Sequence, residues 1–177
     1  KFSKLIRKKK VKNIDFIWHD KYNDIRYGEK IRRDKKISLC FDVLPHIFSM
    51  LNYFNPTNNK YNFKIIKKQL INNNFAYIKF KFNGLECSCD IQKDTKKRLR
   101  VIVAKNKNIN LKFDFSDENS IFLEKNNRLI DRLDQKGKGP LYKMLNKFLT
   151  SITTKNYDKR INLKNSIYTI KLIEKII

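Results

Sequence analysis

The sequence predicts an α+β domain, a largely antiparallel open β-sheet with helices packed on one face. Three observations lead there. Between about residues 61 and 125 the apolar pattern has period two: Ala76, Ile78, Phe80 and Phe82 alternate with Tyr77, Lys79 and Lys81. After Asn83-Gly84 the alternation resumes, with Leu85, Cys87, Cys89 and Ile91 against Glu86, Ser88 and Asp90. Segments at helical spacing lie on either side of this region, including Val43, Ile47, Met50 and Leu51, so helices are available to cover one apolar sheet face.

In chain order, residues 2–10 read as a helix and 14–19 as a strand. Residues 40–54 read as a second helix ending before Pro56. Pro45 costs least in a first turn, which places the helix start near Phe41 or Asp42, with Asp42 available as the cap. Asn83-Gly84 favours a two-residue type I′ turn. That turn pairs Phe82 with Leu85, Lys81 with Glu86, Phe80 with Cys87, Lys79 with Ser88 and Ile78 with Cys89. Two more strands follow, with Leu99, Val101, Val103, Leu111, Phe113 and Phe115 on the apolar face and Arg98, Arg100, Lys112 and Asp114 opposite. Two last helices carry stripes at Leu141, Leu145, Phe148, Leu149 and Ile152, then at Leu163, Ile167, Ile170 and Ile173. The other sheet face, with Lys79, Lys81, Glu86, Asp90, Arg98 and Lys112, suits water or a polar, salt-sensitive interface.

Composition narrows the function classes. A chain of 177 residues with 41% apolar content can bury one core, and no proline/serine linker or repeat divides it, so residues 1–177 read as a single domain. No apolar run approaches the roughly 20 residues that cross a bilayer, and no signal-peptide pattern opens the chain. Three cysteines cannot all pair within one molecule, so a reduced, cytoplasmic protein is expected. Cys87 and Cys89 share the apolar face of a strand, where thiols act as small hydrophobes, and no metal is expected. The formal net charge of +24 includes a basic run from Lys21 to Lys36, but lysine is spread over the whole chain together with excess asparagine and isoleucine. That joint bias is what an AT-rich genome imposes, so specific nucleic-acid binding is not expected; no zinc-finger or RNP-type motif is present.

Phe41-Asp42-Val43-Leu44-Pro45-His46 carries the sharpest chemistry: a carboxylate and an imidazole four residues apart, on one face of a helix, within reach of one ligand. With the strand Asn13–Trp18 before it, the strands turning at Asn83-Gly84 after it, and Gly139-Pro140-Leu141 opening a helix that ends Phe148-Leu149-Thr150-Ser151-Ile152, the chain resembles a known domain. It is similar to the C-terminal, substrate-binding and oligomerisation domain of the glucose-fructose oxidoreductase and inositol dehydrogenase (Gfo/Idh/MocA) family. Asp42 and His46 stand at the places of that family's Asp-x-x-x-His.

The resemblance implies an NAD(P)-dependent oxidoreductase acting on a sugar, sugar derivative or cyclic polyol by hydride transfer. His46 would exchange a proton with the reacting hydroxyl or carbonyl, a task suited to an imidazole near neutral pH, and Asp42 would orient a neighbouring hydroxyl. Trp18 would wall a sugar ring, and Arg26 or Arg33 would hold a carboxylate or phosphate. A homo-oligomer through the open sheet face is implied too. NAD or NADP would be bound mainly by an N-terminal domain that the sequence does not contain: its four glycines permit no G-x-G-x-x-G, and the family's Glu-Lys-Pro lysine is absent. The competing readings are a non-catalytic binding or assembly module with this fold and a basic nucleic-acid-binding protein.

Overall fold

The structure, a computed structural model, describes residues 2–23, 25–26, 29–30, 37–54, 62–71, 74–114, 120–125, 128–134, 146, 149–151, 153–154 and 163–177. Helix α1 (Phe2–Lys8) leads into strand β1 (Asn13–Lys21), a short ribbon β2 (Ile25–Arg26) and β3 (Glu29–Lys30), and helix α2 (Leu39–Phe54). Seven strands follow: β4 (Phe63–Ile71), β5 (Phe75–Phe82), β6 (Leu85–Thr95), β7 (Leu99–Lys105), β8 (Ile109–Asp114), β9 (Ser120–Lys125) and β10 (Arg128–Asp134). Helix α3 (Leu163–Ile176) is the last described element. The main sheet has eight strands in the order β10-β9-β8-β7-β1-β6-β5-β4. All pairings are antiparallel except β1 with β6.

One apolar core lies between the sheet and the three described helices. It joins Phe2 and Ile6 of α1, Ile14, Phe16 and Trp18 of β1, Leu44, Ile47, Phe48 and Leu51 of α2, and Ile78, Phe80, Cys87, Cys89 and Ile91 of β5 and β6. Phe48 is fully buried and meets the rings of Phe63, Phe80 and Phe82 at centroid distances of 5.9, 5.7 and 6.0 Å. The Asn83-Gly84 hairpin has the register expected from its alternation. Both turn residues have positive φ, 51° and 82°, as a type I′ turn requires. The ion pair on its open side runs diagonally, from Glu86 to Lys79, rather than to the directly opposite Lys81. That hydrogen-bonded contact raises the pKa of Lys79 and lowers that of Glu86.

Three expectations need correction. Helix α2 starts at Leu39, not near Asp42: Ser38 is the cap, its Oγ accepting the Phe41 N–H at 3.2 Å. Pro45 therefore sits inside the helix, where it forgoes a bond to the carbonyl of solvent-exposed Phe41. In β7 the faces are reversed. Ile102 and Ala104 enter the core opposite Phe16 and Ile14, and Arg100 lies opposite Trp18, while Val101 and Val103 turn to the open face. The run Val-Ile-Val-Ala is apolar on both faces, so its alternation alone cannot choose between them. In α3, Ile173 is buried as expected, but Ile167 and Ile170 are exposed, and the inward stripe is Thr169, Leu172, Ile173 and Ile176. Most of the expected helix from Gly139 to Ile152 lies outside the described residues.

The open face of the sheet is a mesh of polar pairs. Asp15 accepts from Ser88 Oγ at 2.6 Å and meets Lys105 Nζ at 2.7 Å, and Asp90 lies 3.1 Å from His19 Nε2. The three cysteines are free and buried. Burial is the main force pushing all three thiols up, Cys87 and Cys89 most strongly, with Lys68 and Lys93 opposing it at Cys40. Since the thiolate is the reactive form, iodoacetamide at about pH 8 should label none of them until denaturant is added. Rapid labelling of the native protein, read by mass spectrometry, would contradict this burial.

Candidate functional site

At one end of the helix-covered face the apolar phase of three strands turns charged. In β1 the inward series Ile14, Phe16, Trp18 continues into Asp20; in β6 the series Cys87, Cys89, Ile91 continues into Lys93. In β7 the inward series of Ala104 and Ile102 ends on Arg100. Helix α2 lays Asp42 and His46 over this end of the sheet.

His46 is solvent-exposed, and its imidazole stacks on Trp18 with ring centroids 5.6 Å apart and planes 5° from parallel. Trp18 is only 7% exposed. The Arg100 guanidinium lies 4.2 Å from the indole centroid. Arg100 is in turn fixed by Asp20, whose Oδ1 accepts from Nη2 at 2.7 Å and from Nε at 3.2 Å. The stack thus runs from an exposed imidazole, through an aromatic ring, to a part-buried ion pair.

Asp42, one helical turn before His46, is 47% exposed, and its Oδ2 lies 3.6 Å from Lys93 Nζ. Lys93 stands beside an irregularity in the β1–β6 ladder. His19 pairs with Gln92 but Lys21 pairs with Thr95, so β6 carries one extra residue there, and Asp94 has a positive φ of 59°. Such a bulge re-aims side chains and is common beside functional sites.

The structure therefore brings together Trp18, Asp42 and His46 among the residues singled out from the sequence. Arg26 lies in the short ribbon, its backbone paired with Glu29, and Arg33 falls outside the described residues. Sequence reasoning missed Asp20, Lys93 and Arg100. Among the described residues no group of three His, Cys, Asp or Glu side chains is placed to hold a metal ion. No described helix is long and apolar enough to cross a membrane.

The Trp18–His46 contact has a direct optical signature, because Trp18 is the one tryptophan in the sequence. His46→Gln should change the intensity or wavelength of the Trp18 emission, because it removes the ring stacked on the indole, and His19→Gln should leave both as they are; emission unchanged in His46→Gln would contradict the stack.

No protein-family model and no curated protein sequence matches the chain. Solved structures do. A dehydrogenase (MviM) from Clostridium difficile matches with TM-score 0.69 and 15% identity over 99% of this chain and 58% of its own. UDP-N-acetylglucosamine 3-dehydrogenase GnnA from Acidithiobacillus ferrooxidans matches with TM-score 0.71 and 10% identity, covering 98% of this chain and 55% of its own. KijD10, a 3-ketoreductase from Actinomadura kijaniata solved with NADP, matches with TM-score 0.70 and 5% identity over the same shares, 98% and 55%. The chain thus has the fold of just over half of these Gfo/Idh/MocA-type dehydrogenases, consistent with their C-terminal domain.

Proposed function

We propose that this chain is the substrate-holding domain of an NAD(P)-dependent oxidoreductase that moves a hydride to or from a sugar, sugar derivative or cyclic polyol. The observation that carries this reading is the Asp42/His46 pair, one turn apart on α2 and held over the charged end of the sheet by Trp18 and Lys93. The fold supports it, since it recurs in a UDP-N-acetylglucosamine dehydrogenase and an NADP-bound 3-ketoreductase.

No described residue of this chain is assigned to the cofactor. A pyrophosphate cradle needs a glycine-rich turn opening a helix, and Gly84 instead makes a hairpin turn. Nicotinamide binding, and the hydride transfer it supplies, are placed on a separate dinucleotide-binding domain, together with a catalytic lysine. Residues 1–177 act as one domain around the substrate. His46 gives or takes the proton at the reacting oxygen. Asp42 accepts a hydrogen bond from a neighbouring hydroxyl and sets the ring's orientation. Trp18, so largely covered, serves as the floor beneath His46 more than as a wall for the sugar itself. Arg26 and Arg33, in the basic segment, supply the cation for any carboxylate or phosphate on that substrate. A second copy of the chain would meet the polar open face, and a reducing cytoplasm suits the three free thiols.

The test uses the full-length protein with NAD or NADP and a panel of myo-inositol, glucose, glucuronate and UDP-N-acetylglucosamine, following the reduced nicotinamide. Turnover of a panel member supports the reading. No turnover of any member, with either cofactor, overturns it and favours a binding module.

A further inference from the structure

Lys93 is the feature of the site that its surroundings explain least. It follows Cys87, Cys89 and Ile91 in the inward phase of β6, and its side chain is 9% exposed, so more than nine-tenths of it is withdrawn from water. An ammonium has three donors. Among the described residues the acceptor beside it is Asp42 Oδ2, and at 3.6 Å that contact is too long to be a hydrogen bond. The two form an ion pair without a direct hydrogen bond, so each keeps hydrogen-bonding capacity for a third group. An oxygen placed about 2.8 Å from both atoms bridges them, provided that oxygen accepts from nitrogen and donates to the carboxylate. A hydroxyl does both, on a polyol as on water. An anion cannot donate to Asp42, and its charge is repelled there; an ether cannot donate either.

We propose that Lys93 and Asp42 form the seat of one substrate hydroxyl, which accepts from Lys93 Nζ and donates to Asp42 Oδ2. Lys93 is then a specificity-determining residue for a polyhydroxylated substrate. The seat lies one helical turn from His46, so the hydroxyl belongs to a carbon next to the reacting one. The period-two alternation of β6 is what turns Lys93 toward helix α2, at a position where the preceding inward residues are apolar, and the bulge comes directly after it. This inference rests on Asp42 and His46 being the substrate site.

The test is a double-mutant cycle in the full-length protein, on whichever panel member wild type turns over, using Lys93→Met, Asp42→Asn and the double variant, with Lys93→Arg and His46→Ala alongside. Methionine keeps the apolar stem and Asp42 is half-exposed, so both single variants should fold, as far-UV circular dichroism will show. Lys93→Met should raise KM roughly tenfold to a hundredfold with little change in kcat, and Lys93→Arg should recover part of the loss. Because both residues hold one hydroxyl, the double variant should cost little more than the worse single. An unchanged KM in Lys93→Met, or penalties that multiply, would overturn the seat. If instead wild type turns over no panel member, or His46→Ala turns over normally, it is the underlying substrate-site reading that fails.

Discussion

Replacing His46 by alanine in the full-length protein is expected to lower turnover about a hundredfold or more, the usual loss when a general acid–base is removed. The loss should fall on kcat more than on KM, because a general acid–base moves a proton in the transition state and contributes less to holding the ground state. The fold should survive, since His46 is exposed and its contact with Trp18 is made from the solvent side of a buried ring. His46→Phe separates the two roles of the residue. It keeps a flat ring over Trp18 but carries no exchangeable proton, so it should be as impaired as alanine. Near-normal turnover in either variant would remove His46 from the mechanism.

The largest effect on stability is expected at Phe48, half a turn beyond His46. Its ring fills the centre of the aromatic cluster with Phe63, Phe80 and Phe82, and none of it reaches solvent. Phe48→Ala should destabilise by about 3–5 kcal/mol through lost transfer energy plus the cavity left behind. For a chain of this size that is a fall in Tm of roughly 10 °C. Phe48→Leu should cost less, because it refills part of the space. Thermal or denaturant unfolding followed by circular dichroism measures both. A loss below about 1 kcal/mol for Phe48→Ala would mean that α2 is not anchored by this ring. The same helix carries Asp42 and His46, so loosening its seat should also weaken the site without touching a reacting group.

The readability of this chain tracked how many independent local signals agreed. At Asn83-Gly84 the turn chemistry and the alternation on both strands point one way, and the register follows residue by residue. In β7 every position from Val101 to Ala104 is apolar, so only the neighbouring strand β1 decides which side faces the helices. Pro45 argued for a later helix start, but the Ser38 cap outweighed it, moving the first turn back by about three residues. For the site, the spacing of Asp42 and His46 was legible because a helix turns i and i+4 onto one face. Lys93, Asp20 and Arg100 were not found, although each leaves a trace: a charged residue at an inward position of a strand that is otherwise apolar on that side. A lone charge of this kind reads as the end of a strand unless its partner, supplied by another element, is known.

Strand β1 lies between β7 and β6, which follow one another directly in sequence. The chain therefore makes its central strand first and leaves it without neighbours until more than sixty residues later have been added. Removing β1 would divide the other seven strands into a group of four and a group of three with no ladder between them. During synthesis the sheet cannot close early, because the strands on either side of the gap arrive together and must admit a segment made more than sixty residues before them. Pairings so distant in sequence bring a high entropic cost of closure and slow folding. Until it is enclosed, β1 presents two open edges to whatever else is nearby, so the nascent chain is most open to misassociation through the strand that finally becomes its most sheltered.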